Sequence, residues 1–165
     1  MIDEQCLVKV AMADLNVAGP SGLLRTTGLG SCVGLTLYDP LLKLGGMAHV
    51  MLPSSSIARE GQLNLAKYAD TALPVLLTKL KDMGASHSRL VAKMAGGAQM
   101  FSFAGAGESM RIGPRNVEAC KAVLEQLGIP LLAEDTGGNY GRTVELDCTT
   151  GKFTIRSVQK GVKEL

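Results

Sequence analysis

Apolar and polar positions repeat with two different periods along the chain, and these periods divide it into short strands and two helices. A period of two is typical of a strand with one buried face, and a period near 3.6 is typical of an amphipathic helix. In the strand with the clearest alternation, Val33, Leu35 and Leu37 are predicted to share one face. Residues 89–101 are predicted to run from a strand into a glycine turn. Further strands are predicted over residues 7–15, 23–28, 32–39, 47–52, 129–135, 142–148 and 152–158.

The two helical patterns occupy residues 63–84 and 113–128. The first ends at Gly84, and Pro74 within it predicts a kink or a break, because proline lacks an N–H and clashes with the preceding turn. Gly128 follows the second helix, as is typical of helix ends. The apolar stripe of the second helix contains Val117, Cys120, Val123, Leu124 and Leu127.

The order of these elements predicts the fold class. About seven strands and two helices, without regular alternation, favour an α+β layered domain over a doubly wound parallel sheet. A chain of 165 residues is long enough to bury a proper core. No internal repeat or linker interrupts it, so we expect one domain over residues 1–165.

Composition and charge exclude several classes of function. The net charge is only +2 and aromatic residues make up 4% of the chain, so a nucleic-acid surface built from basic and stacking side chains is not expected. No apolar run approaches the roughly 20 residues that span a bilayer, and the acidic start is unlike a signal peptide. We therefore expect a cytoplasmic protein without membrane insertion. No cofactor is expected, and the two histidines show no zinc-ligand spacing.

One of four cysteines has unusual neighbours. Cys32 follows the run Gly-Leu-Gly-Ser and precedes an apolar strand. Gly28 and Gly30 leave the backbone bare, so a substrate carbonyl could approach the sulfur and accept hydrogen bonds from the N–H groups around Ser31 and Cys32. A helical turn starting at Cys32 would also lower the pKa of the thiol. The alternative, which this stretch alone favours, is a small core residue beside a turn.

The other three cysteines, Cys6, Cys120 and Cys148, occupy apolar positions of regular elements and are predicted to lie in the core. They have no disulfide-framework spacing, so all four cysteines are expected to be free thiols.

A histidine interrupts the apolar strand at residues 47–52. His49 is flanked by apolar residues on both sides, and a buried imidazole there needs a partner. An imidazole beside a thiol is the pair that activates cysteine hydrolases, and because His87 lies in an exposed-looking segment, the pair would be Cys32 with His49. The alternative is a core histidine that bonds a backbone carbonyl.

A third group should orient the imidazole. Asp14 and Asp39 lie at turn positions, where capping or turn formation accounts for them. Thr26 and Thr27 lie on the strand that leads into the glycine run, and a hydroxyl or carbonyl of either could accept the His49 N–H. The residue pattern does not choose between them.

Two further glycine clusters, at 95–101 and 134–142, lack the phosphate-loop and dinucleotide patterns. They are predicted to be turns, or else walls of a cleft or a docking loop. Met100, Phe101 and Phe103 bring apolar side chains together there, which indicates either a partner surface or buried strand ends.

Six segments, taken together and in this order, resemble the CheD family of chemoreceptor glutamine deamidases. The resemblance runs from about residue 7 to residue 158, and the Gly-Ser-Cys and Ala-His-Val-Met-Leu-Pro motifs at their separation are its most specific part. The segments are TTGLGSCVGLTLYD (26–39), GGMAHVMLP (45–53), KYADTAL (67–73), AGGAQMF (95–101), IGPRNVEA (112–119) and AEDTGGNYGR (133–142).

The resemblance implies a layered α/β sandwich related to cysteine-dependent toxin deamidases. It implies hydrolysis of selected chemoreceptor glutamines to glutamate, with Cys32 as the nucleophile, His49 as the base and Thr26 as the third member. Thr27 occupies a position where relatives often carry an apolar residue. The oxyanion would be held by backbone N–H groups around Gly30, Ser31 and Cys32. The implied partners are the cytoplasmic domains of bacterial chemoreceptors and a CheC-type phosphatase of the response regulator.

Three other interpretations of the sequence stay open. The chain could act mainly as a binding module that stimulates the phosphatase, in which case it would not need a reactive thiol. It could also perform the same chemistry on a receptor methyl ester, or transfer the acyl group as transglutaminases do. A zinc protein is a more distant alternative.

Overall fold

The computed structural model describes residues 5–57, 63–100 and 111–165. These ranges contain ten strands and two α-helices, with short 3-10 turns at Ser55–Ile57 and His87–Arg89. The helices are α1 (Ala69–Asp82) and α2 (Ile112–Leu127). The strands are β1 (Cys6–Lys9), β2 (Leu15–Ala18), β3 (Gly22–Leu29), β4 (Val33–Asp39), β5 (Leu44–Val50), β6 (Val91–Gly96), β7 (Leu131–Thr136), β8 (Arg142–Asp147), β9 (Phe153–Ser157) and β10 (Gly161–Glu164).

The strands form two five-stranded sheets. The outer sheet has the order β1-β3-β8-β9-β10, and the central sheet has the order β2-β5-β4-β6-β7. Only the β1–β3 and β6–β7 pairs are parallel among the strand pairs of the described ranges. The fold is therefore α+β with two mixed sheets, as the sequence predicts.

The central sheet is covered on both faces, and this explains why every residue of β4 is buried. Val33, Leu35 and Leu37 pack against α1 and α2, which confirms that they share one face. On the opposite face, Tyr38 belongs to the apolar cluster between the two sheets. The layers are therefore outer sheet, central sheet and helices.

The helix predictions are partly confirmed. α1 begins at Ala69 and not at residue 63 as predicted. The apolar side chains of Leu63 and Leu65, which the pattern assigned to the helix, are 51% and 45% exposed. The helix continues through Pro74, so the predicted break is wrong. α2 ends where the sequence predicts, and Gly128 takes the left-handed conformation, with φ of 68°, that commonly follows a helix.

Two strand predictions are wrong for local reasons. The pattern over residues 7–15 is divided between β1 and β2, which lie in different sheets. Ala13 has a positive φ of 56° there, and the Asp14 N–H donates to the carbonyl of Ala11. β10 was not predicted, because all four of its residues are exposed and carry no apolar period. Cys6 is also exposed, so its assignment to the core is wrong, whereas Cys120 and Cys148 are buried.

Candidate active site

The connection between β3 and β4 carries the chain from the outer sheet to the central sheet. A β-bulge follows Thr26, and Gly28 takes a positive φ of 71° within it. Residues 30–32 then form bends before β4 begins. As a result, Thr26 lies in the outer sheet and Cys32 lies just before β4 of the central sheet, although only six positions separate them in the sequence.

Cys32 and His49 lie on the face of the central sheet that packs against the outer sheet. His49 in β5 pairs with Gly34 in β4, and Cys32 precedes Gly34 by two positions and belongs to the cluster between the sheets. Both residues therefore adjoin the layer between the two sheets, close to the start of β4. Cys32 is 8% exposed and His49 is 1% exposed.

A threonine hydroxyl fixes the tautomer of His49. Thr26 Oγ1 lies 2.6 Å from His49 Nδ1 and 2.7 Å from the carbonyl oxygen of Val10. A carbonyl can only accept, so the single hydroxyl proton of Thr26 is donated to Val10. Oγ1 must then accept the proton on Nδ1, which leaves the free lone pair on Nε2. That atom is buried and bonds none of the described residues, Cys32 included, so it is available as a base.

Burial favours the neutral forms of both Cys32 and His49. It raises the pKa of the Cys32 thiol and lowers the pKa of the His49 imidazole, because a low-dielectric environment disfavours each charged form. The resting pair is therefore a thiol beside a neutral imidazole. The option of a helical turn at Cys32 is wrong, since residues 30–32 are bends between two strands. No helix dipole at Cys32 lowers the pKa of the thiol.

Two backbone N–H groups of the turn are free to bind an anion. The Gly30 N–H donates to the carbonyl of Gly28 at 3.1 Å. The N–H groups of Ser31 and Cys32, in contrast, have no acceptor within the part of the chain that the structure describes. One donor belongs to Cys32 itself and the other to the residue before it. An oxyanion formed by attack of the Cys32 sulfur could accept hydrogen bonds from such donors.

The other predicted candidates lie elsewhere. Thr27 is exposed in the bulge and does not contact His49. Asp39 ends the far side of β4, where it pairs with Arg89 at 2.8 Å and accepts the Leu41 N–H at 3.0 Å. These contacts explain why the pKa of Asp39 is lowered to about 2. Of the candidates, the structure therefore joins Thr26 to His49 by a hydrogen bond and places Cys32 in the apolar cluster between the same two sheets.

Two of the remaining candidates have structural contacts. Asp14 accepts the backbone N–H of His49 through its main-chain carbonyl, at 2.9 Å. His87 Nε2 lies 2.6 Å from the carbonyl oxygen of Leu127, at the end of α2. Neither side chain joins the Thr26–His49 hydrogen bond.

The two other glycine clusters are turns that pack on each other. Gly96 and Gly137 both have positive φ, and the Gly137 N–H donates to the carbonyl of Gly96 at 3.0 Å. Met100 is 43% exposed and covers Gly30, where an added Cβ would lie 3.2 Å from Met100 Cγ. Phe101 and Phe103, the other members of the predicted partner surface, lie outside the described residues.

One buried polar residue near the turn was missed by sequence reasoning. Asn116 in α2 is fully buried, and its amide donates at 2.9 Å to both the Ser31 and Met51 carbonyls. The available signal was its position four residues before Cys120, which places an amide on the apolar stripe of the helix.

A metal site and a membrane-spanning helix are both missing from the described ranges. These ranges contain no group of three or more His, Cys, Asp and Glu side chains that could hold a metal ion. Their helices are all too short or too polar to cross a membrane.

Comparison with known proteins gives a consistent match over almost the whole chain. The family model described as CheD chemotactic sensory transduction matches residues 51–157. A chemoreceptor glutamine deamidase CheD of Halalkalibacterium halodurans is 57% identical over 159 residues, which cover 96% of this chain and 98% of that protein. A probable chemoreceptor glutamine deamidase CheD of Desulfitobacterium hafniense is 50% identical, with 95% and 97% covered. The chemoreceptor glutamine deamidase CheD of Bacillus licheniformis is 47% identical, with 96% and 95% covered.

Proposed function

Because the chain belongs to the CheD family, we propose that it is a chemoreceptor glutamine deamidase in which Cys32 is the nucleophile, His49 the base and Thr26 the orienting residue. The observation that carries this assignment is the 2.6 Å contact between Thr26 Oγ1 and His49 Nδ1, which leaves Nε2 unprotonated. That free lone pair lies on the same face of the central sheet as the Cys32 thiol.

The first chemical step forms a tetrahedral adduct, which becomes a thioester when ammonia leaves. As the Cys32 sulfur attacks the δ-carbonyl carbon of a substrate glutamine, the thiol proton moves to His49 Nε2, because the resting pair is neutral. The carbonyl oxygen becomes an oxyanion and accepts the free N–H groups of Ser31 and Cys32. Such a donor contributes on the order of 3 kcal/mol to other enzymes.

The same imidazole completes the reaction. The His49 imidazolium returns its proton to the departing nitrogen, so the C–N bond breaks and ammonia leaves. A water molecule then attacks the thioester carbonyl and gives its proton to Nε2. The C–S bond breaks, the proton returns to the sulfur, and the product is a glutamate side chain.

Thr26 differs from the carboxylate that orients many catalytic histidines, because its hydroxyl is neutral. It fixes the tautomer and the ring orientation, but it stabilises the imidazolium less than a charged partner would. This agrees with a histidine that is neutral at rest and protonated only during turnover.

The direct test is peptide mass spectrometry of a chemoreceptor cytoplasmic fragment incubated with the protein. Conversion of glutamine to glutamate should appear with the unmodified protein and be absent with Cys32→Ala and His49→Ala. Cys120→Ala is the matched control, because it removes a buried thiol outside the site. Conversion by Cys32→Ala at the unmodified rate would overturn the proposal. A methyl-esterified receptor fragment in the same assay would test the ester alternative.

A second proposed role is binding to a CheC-type phosphatase in the cytoplasm, which rests on the family resemblance. The exposed Met100 lies beside Gly30, two positions before Cys32, where a partner could contact it. Stimulation of the phosphatase by the inactive Cys32→Ala variant would separate this role from deamidation. If the phosphatase neither binds nor responds to the unmodified protein, the role is wrong.

A further inference from the structure

We propose that Asn116 is a positioning residue that aims the Cys32 N–H at the substrate oxyanion. The inference rests on the proposed function, since it concerns the oxyanion donors of that reaction. It comes from a segment of α2 that the mechanism above does not use.

The three carbonyls of the turn are each held by a hydrogen bond of 2.9 Å. The Ala98 N–H donates to the carbonyl of Gly30, and the Gly97 N–H donates to the carbonyl of Cys32. The carbonyl between them, that of Ser31, has a side-chain donor, the amide of Asn116. Asn116 therefore holds the one peptide unit of the turn that backbone donors do not.

Holding a carbonyl also sets the direction of the following N–H. In a trans peptide the carbonyl of one residue and the N–H of the next point in opposite directions across a rigid plane. The contact between Asn116 and the Ser31 carbonyl therefore turns the Cys32 N–H away from α2. That N–H has no acceptor among the described residues, which leaves it free for an oxyanion.

The same amide joins the turn to the strand that carries the base. Asn116 Nδ2 also donates, at 2.9 Å, to the carbonyl of Met51, which follows the end of β5 and lies two positions after His49. A single buried side chain thus ties together the segments that bear the thiol and the imidazole.

Close packing fixes the position of α2 against this turn. Gly113, one turn before Asn116, lies so close to the Ala98 carbonyl that a Cβ there would overlap it, and a Cβ at Gly96 would overlap the Cys32 carbonyl. The helix, the glycine segment and the turn are therefore in direct contact, so the amide of Asn116 has little freedom to move.

The oxygen of Asn116 has no partner among the described residues, so the residue acts on the turn through its amide protons. Both amide protons serve carbonyl acceptors, so the orientation of the amide is fixed. Oδ1 is buried and bonds none of the described residues. An apolar side chain would avoid the cost of burying this oxygen, so the contribution of the residue is its hydrogen bonds to the turn.

The experiment compares kcat and KM on the receptor fragment for Asn116→Leu and Asn116→Asp, with Cys120→Ala as the control from the same buried face of α2. Leucine keeps the branched shape, with somewhat more volume, but has no donor. Aspartate keeps the shape and the size but places an acceptor oxygen opposite each of the two carbonyls. We expect kcat to fall about 10²-fold in both variants with KM within about threefold, because the lost interaction acts in the transition state. The control should keep kcat within about threefold.

Alkylation of Cys32 by iodoacetamide, followed at the Cys32 peptide by mass spectrometry, distinguishes positioning from unfolding. This substitution reaction forms no oxyanion, so its rate should stay within about threefold in folded Asn116 variants. Normal kcat in either folded variant overturns the inference, as does a loss of kcat matched by a large rise in alkylation. If Asn116→Leu prevents folding, the aspartate variant decides. If Cys32→Ala deamidates normally, the proposed function itself fails, which is a separate outcome.

Discussion

Thr26 and His49 belong to different sheets, yet a 2.6 Å hydrogen bond joins Thr26 Oγ1 to His49 Nδ1 across the layer between them. The bond is buried, and a second bond from Thr26 to the Val10 carbonyl at 2.7 Å fixes its direction. The tautomer of the base therefore depends on how the two sheets pack together. This relationship leads to the first prediction.

Thr26→Val should lower kcat by about 10²-fold, because valine keeps the shape but cannot accept the Nδ1 proton. The proton would then favour Nε2, and the lone pair that must accept the thiol proton would be lost. Thr26→Ser restores the hydroxyl and should retain most of the activity. Steady-state kinetics on a receptor fragment would measure each effect.

The matched control for this prediction is Thr27→Val. Thr27 is the neighbouring threonine but is exposed in the bulge, so its replacement should leave kcat unchanged. Equal losses at the two positions would contradict the assignment of Thr26 as the orienting residue.

The pH dependence of kcat/KM should be a broad plateau around neutral pH. The acidic limb should lie below pH 6.5, because burial lowers the pKa of His49 from that value and protonation removes the base. The alkaline limb should lie above pH 9.0, because burial raises the pKa of Cys32 from that value. Rapid alkylation of Cys32 at pH 6 would show a thiolate–imidazolium pair and contradict this prediction.

Asp39→Asn should destabilise the protein without affecting kcat. Arg89 and the N–H groups around Asp39 lower the pKa of its carboxyl to about 2, so its contribution to stability is present above the unfolded pKa and is lost as the pH falls through the folded one. We expect a loss of about 1–2 kcal/mol at neutral pH, allowing for the exposure of Arg89. Urea unfolding at pH 7 should show this difference, and at pH 2 most of it should disappear. An equal difference in unfolding free energy at pH 7 and pH 2 would mean that packing, and not charge, is responsible for the loss of stability.

The sequence predicts the layered fold and a buried histidine at His49, because a polar residue within an apolar strand is a local signal, and both are confirmed. The pairing of Cys32 with His49 stays a prediction. The residue pattern alone could not choose between Thr26 and Thr27, which lie on opposite faces of β3, and it was the family resemblance that implied Thr26. Which face is buried depends on the bulge at Gly28 and on the stacking of the two sheets, and both are set by distant contacts. Thr26 is the one that is buried.

Two other features, the turn within residues 7–15 and the role of Asn116, were not predicted from the sequence. The alternating pattern predicts one strand over residues 7–15, because nothing in it indicates the turn at Ala13, where φ is positive. Asn116 has no local signal of function, since the carbonyls that it binds, those of Ser31 and Met51, are distant in sequence. A polar residue on an otherwise apolar helix face is the feature that could have indicated it.

Gly34→Ala should impair both stability and activity, because Gly34 packs against the outer sheet beside Thr26. An added Cβ would lie 2.9 Å from Val144 Cγ2, 3.0 Å from Leu29 Cδ1 and 3.3 Å from Thr26 Cγ2. These contacts are tight, so the three side chains must give way, and we expect the displacement of Thr26 to lengthen its bond to His49.

Overpacking of this kind typically costs about 1–3 kcal/mol, and a lengthened Thr26–His49 bond should lower kcat as well. Thermal unfolding and kinetics of the same sample would measure both quantities. Gly19→Ala is the control, because an added Cβ there meets nothing within 4 Å. If Gly34→Ala lost stability but kept its full kcat, the added methyl group would not have displaced Thr26 from His49, and this prediction would be contradicted.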